Sequence, residues 1–186
     1  MDTYDAENLF DEIEYGTGKD KAEAHEKAGR SIPVGEHGRV LFFQAAAEHW
    51  VLRDEIEHAR SLLAEIADGP DEGVLSVRAI YLTIALKEGD GDEAEKLLGQ
   101  LLVDFRAVRI TSTTCHYLGE SLREVGELKK AHRWFTLPLS NVDPDEDLDT
   151  IEEMCVESRA AVRRELGLPH DRYDMVADEL SAMSDS

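Results

Sequence analysis

The chain of 186 residues carries 41 acidic against 20 basic side chains, a formal net charge of −21, with 42% apolar and 33% charged residues. That make-up is one of a folded chain with its own core, and it excludes a Lys/Arg-lined surface that tracks nucleic-acid phosphates or docks on anionic lipid. Ala, Leu, Glu and Arg dominate, no Val/Ile/Thr alternation persists, and no apolar run approaches a membrane span. The sequence reads as all-α, and its acidic N-terminus, without a basic-then-apolar leader, points to a cytoplasmic location.

In chain order, 3–15 reads as a helix with Leu9, Phe10 and Ile13 inward. Gly16-Thr17-Gly18 breaks it, and 19–28 resumes with Ala22, Ala24 and Ala28 inward. Ser31, Pro33 and Gly35 mark 29–38 as a loop, either a hinge or a long inter-helix turn. From Arg39 the helical segments come in pairs. Residues 39–52 pair with 55–67, which Asp68-Gly69-Pro70 stops; 74–87 pairs with 92–105 across Glu88-Gly89-Asp90-Gly91. The stretch CHYLGESLREVGELKKAHRWF, 115–135, holds a third pair joined by Val125-Gly126, with Cys115, Leu118 and Leu122 on one stripe. Pro138, lacking an N–H, should end or kink its second helix near Thr136. Two more helices follow. One spans 147–166, with Ile151, Met154, Cys155, Ser158 and Val162 inward and Gly167 and Pro169 as its stop; the other spans 171–183 through Tyr173, Val176 and Leu180.

The pairs share one register. Ala59, Ala94 and Ala131 stand 35 and 37 residues apart, and four residues after each comes Leu63, Leu98 or Phe135. Five residues before each stands a turn residue, Asp54, Gly89 or Gly126, and four further back Trp50, Ala85 or Leu122. The third pair, with Leu118-Gly119, Ala131 and Phe135, resembles a tetratricopeptide repeat (TPR), whose period is about 34 residues. Cys115 and Leu122 replace its two aromatics, and Pro144 falls about one residue later than its closing proline. The resemblance covers 39–144 as three TPR-like repeats, with 1–38 as a degenerate helical pair and 145–186 as capping helices. It implies a right-handed α-solenoid of antiparallel helix pairs, an α-α superhelix.

The resemblance also implies a concave groove that takes up a peptide or helix of a partner. Its lining would be Gln44 and Glu48 in the first repeat, Ala79 and Thr83 in the second, and His116, Glu120 and Arg123 in the third. TPR proteins that clamp chaperone C-terminal carboxylates use Lys, Asn and Arg on these stripes; Glu48 and Glu120 instead suit a partner with a basic segment. The expected function is a non-catalytic interaction module, an adaptor or regulatory scaffold. Two alternatives stand beside it: an acidic decoy or inhibitor of a basic nucleic-acid-binding protein, and self-association into a homodimer.

Other chemistry is thinly supported. Asp143, Asp145, Asp147 and Asp149 fall at calcium-loop offsets, but Leu148 stands where that loop needs Gly and Met154 where it needs Glu. Acids before a helix are better explained by its macrodipole. The seven histidines make no His-Glu-x-x-His pattern, and Cys115 and Cys155 read as buried free thiols. The sequence thus predicts no catalytic residue, metal or cofactor, and neither nucleic acid nor membrane as a direct partner.

Overall fold

A computed structural model describes residues 3–17, 20–67, 75–144 and 146–184. The helices are α1 (Thr3–Tyr15), α2 (Lys21–Ser31), α3 (Arg39–Leu52), α4 (Ile56–Glu65), α5 (Val77–Glu88), α6 (Gly91–Arg106), α7 (Ser112–Glu124), α8 (Leu128–Thr136), α9 (Thr150–Glu165) and α10 (Arg172–Ser184), with a 3-10 turn at Pro138–Asn141. Among the described residues there is no strand, and no helix is long and apolar enough to cross a membrane. The fold class is all-α. Gly18, Lys19, the expected stop at Asp68-Gly69-Pro70, the expected helix start at Val74 and the acid Asp145 lie outside the described residues.

Local chemistry sets the helix ends. Asp20, Asp90 and Thr111 each accept a hydrogen bond from the backbone N–H three residues on, at 3.2, 3.1 and 3.2 Å, which satisfies an orphan donor of the first turn. The Thr111 cap starts α7 ahead of Cys115, where the sequence placed it. Asp149 opens α9 with a reciprocal box: its carboxylate accepts from Ile151 and Glu152, while Glu152 accepts from the Asp149 N–H. Asp149 therefore serves a helix terminus.

Five helix ends share one backbone device, at Val108 and Gly167 as well as at the three expected turns. Asp54, Gly89 and Gly126 all adopt left-handed φ, 66, 72 and 79°. After each, the next N–H reaches back five residues, from Glu55 to Trp50, Asp90 to Ala85 and Glu127 to Leu122. This closes the helix end on its own last carbonyls. Glycine takes that φ without penalty, and Asp is among the residues that tolerate it.

The chain forms two compact units, Met1–Ile84 and Ala85–Ser186. In the N-terminal unit, Ala6, Ile13, Ala28, Ile32 and Phe42 join α1, α2 and α3. A second cluster joins Phe43, Ala46, Ala47 and Val51 of α3 to Ala59, Leu62 and Leu63 of α4 and Ile80 and Ile84 of α5. The inward stripe of α2 is Ala22, His25, Ala28 and Gly29, with Ala24 only half-buried. Gly29 matters because the Phe43 ring lies against it, where a Cβ would stand 2.4 Å from Cδ1. Arg39 lies 4.5 Å over the same ring and donates to the carbonyls of Gly29 and Ile32, tying down the C-terminal end of α2.

In the C-terminal unit α7 packs on α8, α8 on α9 and α9 on α10, and α7 also meets α9. Cys115, Leu118 and Leu122 of α7 and Ala131, Trp134 and Phe135 of α8 are buried. Helix α8 stops at Thr136 and Pro138 opens the 3-10 turn, as its missing N–H requires. The inward face of α9 differs from the expected one. Cys155, Val156, Arg159, Ala160 and Val162 are buried while Met154 is exposed, because Arg159 is drawn inward to carboxylates at the start of α10. Both cysteines are free and buried. Burial foremost, then its neighbour Cys155, pushes the Cys115 thiol up to about 12; burial foremost, then nearby carboxylates, does the same to Cys155.

A Cβ at Gly119 would stand 2.4 Å from the Phe135 ring, so Gly119→Leu should destabilise by about 1–3 kcal/mol through overpacking. Phe135→Ala should cost about 3–5 kcal/mol by leaving a cavity. In that background Gly119→Ala should turn stabilising, since the ring is gone and alanine gains about 1 kcal/mol of helix propensity. Denaturant midpoints of the single and double variants give the coupling.

Candidate functional site

The residues expected to line one groove do not share one environment. Gln44, Ala79 and Thr83 are buried. The Gln44 amide donates to the Leu75 carbonyl at 3.4 Å, and the Thr83 hydroxyl donates to the Ala79 carbonyl. These three serve the core of the N-terminal unit instead of facing solvent. Glu48 is half-buried, and burial foremost, then the charge of Glu14, raises its carboxyl to about 7 against the opposing pull of Lys21.

The third stripe is covered by α9. Ser158 donates to Glu120 at 2.6 Å and lies 3.3 Å from His116 Nε2, and Arg123 donates to Glu165 of α9 at 3.0 and 2.6 Å. His116, Glu120 and Arg123 are thus brought together, and what they hold is a helix of their own chain. The i,i+4 contact between His116 and Glu120 is long, 3.8 Å, because Ser158 takes the shorter contact.

Two other places concentrate chemistry. The first joins α1, α2 and α3. Glu14, at the end of α1, places one carboxylate oxygen, Oε2, 3.0 Å from both His25 Nε2 and His49 Nε2, while Lys21 donates to its Oε1 at 3.1 Å. The two imidazoles stack, 5.7 Å apart and 7° from parallel, and Phe10 and Phe42 lie against the His25 ring. Burial pushes the Glu14 carboxyl upward, but hydrogen bonds from His49, His25 and Lys21 outweigh it and hold it down at about 2. Burial lowers the pKa of His25 despite the opposing pull of Glu14. The sequence offered no local pattern for this cluster, since its members lie on three helices. Its one signal was a histidine at i+3 on the buried alanine stripe of α2.

The second place is a cleft of about 450 Å³ in the C-terminal unit, between the segment entering α9 and the outer face of α10. Leu148, Met175, Val176 and Leu180 form its apolar part. Glu146, Asp147, Glu153 and Glu179 stand around it, with Arg172, which pairs with Asp143. Helix α10 is held in position by buried charge. Arg159 donates to both oxygens of Asp171 at 3.1 and 2.7 Å, and Arg163 donates to Asp174 at 2.9 Å. The Tyr173 hydroxyl, 2.9 and 2.8 Å from the Leu139 and Val142 carbonyls, fixes the same helix to the 3-10 turn.

No protein-family model, curated protein or solved structure matches the chain.

The hydrogen bonds from Arg159 hold the Asp171 carboxyl down at about 2, below its ordinary 3.8. A depressed carboxyl favours the folded state above the unfolded pKa, and that contribution disappears as pH falls through the folded value. Stability of the wild type should therefore drop between about pH 4 and pH 2, and Asp171→Asn, already weaker at neutral pH, should show a flatter acid limb. Denaturant midpoints measured across that range provide the check.

Proposed function

We propose that this chain is a non-catalytic protein-interaction module built from TPR-like helix pairs, and that its partner supplies a basic segment with an apolar anchor. The pairing of small and large residues along the sequence supports the repeat reading; the left-handed turn itself is a general helix stop, used also at Val108 and Gly167. In that reading the pairs stack into an α-solenoid, closed at its C-terminal end by α9 and α10.

One observation carries the choice of surface: the cleft beside α10 leaves apolar side chains open to solvent beneath a rim of carboxylates. Met175 is 54% exposed there. The stripe of α7, by contrast, already packs on α9. An apolar floor with a rim of four carboxylates and a single arginine, itself paired with Asp143, selects a ligand carrying positive charge beside a hydrophobic side chain. The acidic excess of the chain adds long-range attraction for such a segment.

A displayed library of random peptides, panned on the full chain, should enrich sequences with Lys or Arg flanking Leu, Met or Phe. The double change Glu146→Lys with Glu179→Lys should abolish their binding with helix content unchanged. Both positions are exposed, so stability should move by no more than about 0.5 kcal/mol. Added salt should weaken the wild-type complex, since exposed charges are screened beyond about 10 Å at 0.1 M. Enrichment of peptides without basic residues, or equal affinity in the double variant, would sink the proposal.

A further inference from the structure

We propose that Glu14, His25 and His49 form a binding site for one divalent cation of the zinc class, tying α1 to α2 and α3. The three side chains each offer one ligand atom, and these atoms all lie within 4.8 Å of one another. Two of the three separations are already 3.0 Å. Tetrahedral zinc with bonds of about 2.0–2.1 Å sets its ligands about 3.3 Å apart. Seating the ion therefore asks the two short contacts to open by a few tenths of an ångström and the two imidazole nitrogens, within 4.8 Å of each other, to settle at the same spacing.

The donor set selects the ion. Two imidazole nitrogens and one carboxylate oxygen match three-ligand zinc sites that leave a fourth position to water, whereas calcium and magnesium prefer oxygen throughout. Lys21 holds the Oε1 of Glu14 and so leaves Oε2 turned toward the two rings, the kind of outer contact that orients a ligand. Nδ1 of His25 is buried without a hydrogen-bond partner. No partner therefore holds a proton at Nδ1, and the tautomer of that ring is set by what stands at Nε2. With no ion, each Nε2–H donates to Glu14; with an ion, each nitrogen offers its lone pair and the proton resides on Nδ1.

The environment also fits. His25 is fully buried while Glu14 and His49 keep partial exposure, 25 and 17% of their side chains, so an ion enters from their side and stops against the aromatic floor of Phe10 and Phe42. Other histidine–carboxylate contacts, His58 with Glu26, His116 with Glu120 and His170 with Asp178, involve one imidazole each.

The test titrates the full chain with Co²⁺, then Zn²⁺. The expected result is a visible absorption band of tetrahedral cobalt at one equivalent, displaced by one equivalent of zinc, with a zinc-dependent rise in Tm. Glu14→Gln and His49→Gln should lose the band and the rise, weakening affinity beyond the roughly 10–100-fold that loss of an outer-shell partner produces. His58→Gln should behave as wild type. His25→Gln, placed in the core, is the variant most exposed to misfolding, and the two partly exposed ligands decide the matter without it. Absence of the band in the folded wild type would overturn the proposal. So would an unchanged band and affinity in His49→Gln, which would show ions held adventitiously by the acidic surface.

Discussion

An aromatic ring laid flat against a helical glycine underlies the packing of each unit. Phe43 occupies the space that a Cβ on Gly29 would need, and Phe135 does the same at Gly119. The rest of each core is built outward from that contact. In the N-terminal unit the ring is backed by Arg39, which also ties the end of α2. In the C-terminal unit it lets α7 and α8 approach closely enough to bury Cys115, Leu118 and Leu122 against Ala131. Interiors packed at this density transmit strain instead of absorbing it, so both glycines are fixed by geometry.

Charge does the work that apolar burial leaves undone. Among the described residues, most inter-helix polar contacts join a basic side chain on one helix to a carboxylate on another: Arg30 and Arg39 with Glu65, Arg53 with Asp20, Lys130 with Glu95, Arg159 and Arg163 with the start of α10. With about half as many bases as acids, this use of cations as fasteners leaves carboxylates in excess. Individually the exposed pairs are weak; the buried set around Arg159 has more at stake, because removing one member strands a charge in the core.

Helix boundaries and the three turns were legible because they depend on neighbours in sequence. Glycine or aspartate followed five residues later by a buried alanine marks the left-handed turn at Asp54, Gly89 and Gly126, and Pro138 marks the end of α8. Illegible were the features that depend on which helices meet. The start of α7 moved because the Thr111 hydroxyl caps it. The inward face of α9 rotated because Arg159 found Asp171 twelve residues away. The TPR resemblance put Gln44, Ala79 and Thr83 on an open groove, yet all three are buried in the core of the N-terminal unit. Glu14, His25 and His49 converge across 35 residues of sequence, a meeting that no local pattern encodes.

The two buried thiols give the C-terminal unit an internal clock. With both groups held up at about 12, almost no thiolate exists at neutral pH while the unit is closed, and an alkylating reagent finds neither a nucleophile nor a path to it. Once the unit opens, the thiols revert to ordinary acidity and react. Labelling of the native chain therefore proceeds through opening, and its rate at saturating reagent is the opening rate of α7 and α9 themselves. Cysteine chemistry in this protein reports breathing of the fold, with no probe introduced and no residue changed.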